Sequence, residues 1–222
     1  MQTKKPDRMP DALVRRLPAY YRQLTELEQE GVTEISSFKL AEHMGLTDSQ
    51  IRHDLNSFGG FGRRGLGYQV STLKKSIGDI MDINREHPMI IVGAGRIGSA
   101  VAMYPGFKEA GFNVTALFDV SSELIGTQVG GAPVLDAQQL TEYLAHNDIE
   151  IAIIATPAAQ AQQTLDTVAQ AGVRGVWNFV PTTLIAPEGT VVINVHLTDS
   201  LMALSFRMHE VDVINQGLSW TE

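Results

Sequence analysis

Three observations predict an α/β chain of two modules, a small helical one in front and a doubly wound parallel sheet behind it. Apolar strands alternate with helical patterns through residues 86–222, which implies a parallel sheet with right-handed crossovers. The run GAGRIG at 93–98 sits between the apolar strand Met89-Ile90-Ile91-Val92 and an acidic residue, Asp119, that closes the next apolar run. Ahead of it, residues 1–85 read as short helices followed by a glycine-rich stretch that carries arginines.

Composition narrows the function classes. At 222 residues there is chain enough for two cores. The sequence has no cysteine, which excludes disulfides, zinc–thiolate sites and cysteine nucleophiles and suits a reducing, cytoplasmic setting. No apolar run approaches the roughly 20 residues of a membrane span, and the start MQTKKPDRMP lacks the apolar core of a signal peptide. Neither a membrane nor a metal is expected as a partner. The net charge of −8 is unevenly spread: residues 1–85 hold 13 Lys+Arg against 11 Asp+Glu, and residues 86–222 hold 4 against 14. A front module that meets a polyanion and a rear one that does not would have this asymmetry, as would ordinary surface variation.

In the front module, residues 11–30 form a helical pattern with Leu13, Leu17, Tyr20/Tyr21, Leu24 and Leu27 on one face, ending at Gly31. Pro18 lies inside this pattern and should bend or break it. Ser36-Ser37 can cap a short helix through Phe38, Leu40, Ala41 and Met44, which Gly45 ends. Thr47 can cap a third helix, Asp48–Phe58, with Ile51, Leu55 and Phe58 on its buried face. Two short helices joined by Met44-Gly45-Leu46-Thr47 have the form of a helix-turn-helix.

The opposite face of the third helix carries Ser49, Gln50, Arg52, His53 and Asn56, side chains able to reach base edges and phosphates. GGFGRRGLGYQV then reads as a β-wing with Arg63 and Arg64 at its tip and a β-like run Tyr68-Gln69-Val70, suited to a phosphate or a minor groove. These features describe a winged helix-turn-helix domain. A dimerisation or substrate-binding unit could share the same outline. A helix over Ser71–Asn84 and the polar link Arg85-Glu86-His87-Pro88 lead to the rear module.

The rear module opens with a dinucleotide fingerprint. Gly93 allows the tight turn, Gly95 lets the backbone approach a pyrophosphate, and Gly98 packs helix on strand. The loop Gly93-Ala94-Gly95-Arg96-Ile97-Gly98 would place that pyrophosphate at a helix N-terminus, and Asp119 would accept from a ribose 2′-hydroxyl. Further strands are expected at Ala132–Leu135, Ile149–Ala155, Gly175–Phe179 and Val191–Val195, with helices at Gln138–Ala145 and Ala158–Ala171. The whole is a Rossmann-like sheet. Thr156, Pro157 and Asn178 fall at the same strand-end rim as the glycines and Asp119, so they join the expected cofactor pocket.

Catalytic residues are harder to find. A dehydrogenase enlists a His, Lys or Tyr to exchange a proton with substrate, and only His196 follows a candidate strand. The module leaves little room for a substrate domain and suits sensing better than catalysis. A small NAD-dependent oxidoreductase and a CoA-binding module with an accessory helical domain remain the alternatives. The last helix, about Asp199–Ile214, carries Leu201, Met202, Leu204, Phe206, Met208 and Val211 and is apolar over so much of its surface that it suits packing at home or on a partner.

The segments SQIRHDLNSFGGFGRRGLGYQV, IIVGAGRIGSAVAMYPGF, ALFDVSSELIG, IAIIATPAAQAQQTLD, AGVRGVWNFVPTTL and INVHLTDSLMALSF together resemble the Rex family of redox-sensing transcriptional repressors, nearly end to end. The resemblance implies a winged-helix domain at 1–85, a Rossmann-like NAD(H)-binding domain at 86–198, and a C-terminal helix at 199–222 exchanged between the subunits of a homodimer. It implies repression from a palindromic double-stranded DNA operator and release when NADH outweighs NAD. By position, Arg52 and His53 match recognition-helix residues, and Arg64 the wing arginine. Gly93–Gly98 and Asp119 match the NAD(H) site. Tyr104 matches a switch tyrosine, and Arg22 its partner on the first helix. Two departures stand out: His53 replaces a frequent lysine, and His196 replaces an acidic residue that pairs with the switch tyrosine in some members.

Overall fold

The structure, a computed structural model, describes residues 9–57 and 67–216. The chain divides into two compact units, Met1–Arg85 and Glu86–Glu222.

The first unit begins with α1 (Asp11–Gln29), which buries Leu13, Leu17, Tyr20, Leu24 and Leu27 on the stripe its spacing predicted. Pro18 neither breaks nor ends it. A proline removes its own N–H bond to the carbonyl four residues back, and its ring crowds that carbonyl. That carbonyl belongs to Val14, and both Val14 and Pro18 lie on the exposed side, where water can solvate it. The buried residues on either side hold the helix as one element.

The β1 strand (Glu34–Ile35), α2 (Ser37–Met44) and α3 (Asp48–Asn56) follow, then β2 (Tyr68–Gln69) and α4 (Val70–Ile80). Ser36 caps α2 by accepting the Lys39 N–H at 3.2 Å, and Thr47 caps α3 by accepting that of Gln50 at 3.2 Å. Between them Gly45, at φ +64°, makes the left-handed turn of a helix-turn-helix. β1 pairs antiparallel with β2, a strand partner that the sequence pattern did not suggest because two residues carry no periodicity. Val70 starts α4 instead of extending the strand, and α4 closes at Ile80, short of Asn84. Phe58 and the wing arginines Arg63 and Arg64 lie outside the described residues.

The second unit is a seven-stranded sheet in the order β5-β6-β4-β3-β7-β8-β9. Its strands are β3 (His87–Val92), β4 (Phe112–Asp119), β5 (Gln128–Val129), β6 (Ala132–Asp136), β7 (Ile151–Ile154), β8 (Gly175–Asn178) and β9 (Val191–Asn194). All neighbours are parallel except the short edge strand β5. From β6 to β9 this is the 3-2-1-4-5-6 order of a dinucleotide-binding sheet. Alternating strand residues feed two cores. Ile90, Val92, Phe118 and Ile154 pack with α7 (Leu140–His146) and α8 (Ala158–Gln170), while Met89, Ile91, Leu117 and Ile153 pack with α5 (Arg96–Ala102). A short α6 (Gly106–Glu109) follows α5, and a 3-10 turn at Ala137–Gln139 precedes α7.

The last helix, α9 (Leu197–Asn215), buries only Val213 within its own unit. Leu197, Leu201, Met202, Leu204, Phe206, Met208, Val211 and Ile214 are each more than half exposed. Among the described residues no helix is long and apolar enough to cross a membrane, and no cluster of three metal-ligating side chains occurs.

Candidate nucleotide and nucleic-acid sites

The centre of the sheet creates the first site. β3 lies between β4 and β7, so the chain leaves β3 and β7 toward opposite faces and opens a crevice beyond their carboxyl ends. Gly93 N–H closes on Phe118 O at 2.8 Å and Ala155 N–H on Val92 O at 2.8 Å, which carries the ladder to the rim.

The three glycines have separate physical duties. Gly93 has φ +102°, and a Cβ there would stand 2.5 Å from Ala155 O. At Gly98 a Cβ would lie within bond distance of Gly93 O, so α5 can sit on the turn only without one. At Gly95 a Cβ would meet no protein atom within 4 Å. The space over Gly95 is the space a ligand phosphate needs.

Asp119 closes the loop. Its Oδ2 accepts the Ala94 N–H at 2.7 Å and its Oδ1 the Ser121 N–H at 2.9 Å. Ser99 Oγ donates to Ala94 O at 2.7 Å, so the Ala94 peptide is pinned from both sides. Each Asp119 oxygen keeps a further lone pair for a hydroxyl donor. The sequence identified Asp119 but not its loop-holding bond, and Ser99 was missed altogether.

A cleft of about 800 Å³ is lined by Gly93, Gly95, Asp119, Thr156 and Pro157 together. Its far wall comes from Val120, Gln138, Thr141, Gln160, Gln163 and Thr164, none of which has a motif to reveal it. The Thr156 hydroxyl is buried and has no hydrogen-bond partner among the described residues. A buried orphan hydroxyl beside an open glycine and a carboxylate fits a polar nucleotide. Ala94 lies behind the loop with its side chain buried, while Arg96 and Ile97 are exposed on the first turn of α5.

Asn178 departs from the expected group. It is fully buried, with Nδ2 within hydrogen-bond distance of Val180 O, Thr182 O and Asn194 Oδ1, while Oδ1 accepts the Val180 N–H. Its amide organises the chain after β8 and does not line the cleft. Position at a strand end suggested the pocket, but its local bonds consume the side chain.

The second site is α3. Ser49, Arg52, His53 and Asn56 are exposed along it, and Gln50 is partly so. Arg52, more than half exposed, pairs with the half-buried Asp48 one turn back. Ser49 Oγ shares a hydrogen bond with the Thr47 hydroxyl at 3.1 Å. Between the exposed positions sits a buried acid, Asp54, which Arg16, Tyr20 and Gln50 all contact. Burial alone would raise its pKa, but the hydrogen bonds from these three side chains more than offset that and hold the carboxyl below its ordinary range. Burial and the bond to Asp54 push the Tyr20 phenol up. This network had no sequence signal, since its members are spread over two helices.

The expected switch residues lie apart in the chain. Arg22 is exposed on α1, and His196 is the N-cap position of α9. Tyr104 is exposed after α5, its ring edge-on to Phe107 at 5.0 Å.

Similarities to known proteins follow the same division. Residues 8–56 match the family model described as "Putative DNA-binding protein N-terminus", and residues 84–182 the one described as "CoA binding domain". The redox-sensing transcriptional repressor Rex of Clostridioides difficile (strain 630) is 45% identical over 90% of this chain and 95% of its own length. That of Caldanaerobacter subterraneus subsp. tengcongensis is 42% identical over 92% of each chain. Among solved structures, RSP in complex with β-NAD+ and operator DNA superposes with a TM-score of 0.87 at 40% identity, covering 97% of this chain and 99% of that one. RSP in complex with β-NADH gives 0.85 at 39% identity, covering 96% and 99%. With such identity across both units, the chain belongs to the Rex family of redox-sensing transcriptional repressors.

Proposed function

We propose that this chain represses transcription by binding a palindromic operator as a homodimer and leaves the DNA when NADH fills the cleft at the carboxyl end of its sheet. The observation that carries this reading is the joining, in one chain, of a helix-turn-helix to a glycine-turn cleft that holds Asp119 and an unpaired Thr156 hydroxyl. Family membership removes the oxidoreductase alternative: the cleft reports the redox state of its ligand and does not turn it over.

The roles divide among the residues as follows. Residues 1–85 carry the DNA-binding face, with Ser49, Gln50, Arg52 and His53 on α3 and Arg63 and Arg64 on the wing. Residues 86–198 hold NAD(H). Gly95 leaves room for the pyrophosphate, and the free lone pairs of Asp119 accept ribose hydroxyls. The Asp119 charge repels a 2′-phosphate, so NADH is preferred over NADPH. Residues 199–222 complete the dimer by exchanging α9, whose exposed apolar surface exceeds what a monomer usually shows to water. Arg22, Tyr104 and His196 form the switch. With an imidazole in place of a carboxylate, His196 gives Arg22 no anionic partner. The setting is the cytoplasm.

NADH can shift the dimer only by its difference in affinity for the DNA-binding and released arrangements, and tenfold discrimination corresponds to about 1.4 kcal/mol per site. A gel shift with a palindromic operator at fixed salt tests the reading. Added NADH should dissociate the complex and equal NAD should not; a complex indifferent to both would overturn it. The match to a CoA-binding model makes CoA the second ligand to try in the same assay.

A further inference from the structure

Asp54 stands on α3 among exposed residues, yet it is only 1% exposed and turns inward. Its two oxygens take four hydrogen bonds. Arg16 donates from Nε at 2.7 Å and Nη2 at 2.8 Å, Tyr20 from its hydroxyl at 2.9 Å, and Gln50 from Nε2 at 2.7 Å. A carboxylate offers about four lone-pair positions, so Asp54 is saturated. Arg16 and Tyr20 belong to α1, and Tyr20 is fully buried. The forked guanidinium contact fixes direction as well as distance. Gln50 lies one turn before Asp54 on α3 itself and is one of the residues expected to meet DNA.

The chemistry of that last bond is directional. An ionised carboxylate accepts and never donates, so the Gln50 side chain must turn its NH2 toward Asp54. The reversed amide would set a carbonyl oxygen against the carboxylate. One N–H of Gln50 is thereby committed inside the protein.

We infer that Asp54 is a positioning residue for operator recognition: it locks α3 to α1 through Arg16 and Tyr20 and holds the Gln50 amide so that its carbonyl Oε1 is the end offered to a base. The inference rests on the reading of α3 as the DNA-contacting helix. That acceptor pairs with the exocyclic amino groups of adenine or cytosine, while against a keto oxygen of guanine or thymine only the second N–H of the Gln50 amide is left to donate. Asp54 thus sets which bases Gln50 tolerates without touching DNA.

The test uses the full-length protein and a duplex selected by it from a random-sequence pool. Fluorescence anisotropy at fixed salt measures affinity for that duplex, for single-base variants of it and for a scrambled duplex. Asp54→Asn should weaken the selected duplex at least tenfold and the scrambled one less than threefold, with NADH affinity unchanged. Gln50→Met leaves the Arg16–Asp54 contact in place and should abolish the preference for amino-bearing over keto-bearing bases at one position of each half-site. Equal losses on selected and scrambled DNA, or no loss, would overturn the role of Asp54. If Asp54→Asn does not fold, retained base preference in Gln50→Met overturns it alone. Arg52→Ala separates the two levels: unchanged operator affinity there refutes the reading of α3, whereas weakened affinity with intact base preference in the other variants refutes only the role of Asp54.

Discussion

The Asp119 carboxylate accepts the Ala94 backbone N–H at 2.7 Å, tying the end of β4 to the glycine turn that follows β3. One side chain therefore shapes the loop and also lines the cleft beside it. Asp119→Ala loses a hydrogen bond to a charged group, worth about 1.5–3 kcal/mol. Calorimetric titration should show NADH binding weakened roughly tenfold or more. NADPH should gain relative to NADH, because the repelling charge is gone.

Gly95→Ala and Gly98→Ala should separate ligand binding from folding. At Gly95 a methyl meets no protein atom and φ is −67°, so thermal unfolding should stay within about 0.5 kcal/mol of the parent. NADH binding should nevertheless fall at least about tenfold, since the methyl fills the ligand's space. At Gly98 a methyl collides with the Gly93 carbonyl, so destabilisation of about 1–3 kcal/mol should accompany the loss of binding.

The Asp54 network makes a pH-dependent contribution. The folded-state pKa of Asp54 is depressed, so its stabilisation is fully present above the ordinary carboxylate pKa and is lost as pH falls through the lower folded value. Asp54→Asn should cost about 3 kcal/mol at pH 7, as when one partner of a buried pair is removed. Urea unfolding of parent and variant should converge only below about pH 4.

α9 makes the dimer testable. Leu201→Glu with Leu204→Glu replaces two side chains that are more than half exposed in a single chain. Such changes should hardly affect a helix that faces water, but they should convert the dimer to monomer in analytical ultracentrifugation. Operator binding should fall with dimerisation, since a palindrome needs two recognition helices.

Arg64→Ala should weaken every duplex, reduce the slope of log affinity against log salt by about one, and leave NADH binding intact. An unchanged slope would remove Arg64 from the phosphate-contacting set.

Much of this molecule is legible in one dimension because its determinants are local. Ser36, Gly45 and Thr47 mark their helix boundaries through bonds to residues a few positions away. Apolar periodicity placed every long element, and the spacing from Gly98 to Asp119 placed both at one rim. Pro18 does not break α1, because the carbonyl it frees lies on the side that faces water. Asn178 was misjudged because rim position says nothing of which local carbonyls will claim its amide.

The sequence alone determined the two-unit order, the winged-helix and Rossmann-like classes, and the identity of the glycine turn, since each follows from periodicity, turn residues and motif spacing along the chain. Only the tertiary structure decided that Asp119 holds Ala94, that the buried Thr156 hydroxyl has no partner among the described residues, and that Asp54 joins α3 to α1. Those relationships link residues 25 to 38 positions apart in sequence or depend on what burial removes from water. No local pattern encodes them, because the free energy of a buried polar group depends on which distant partners the fold brings within hydrogen-bond reach.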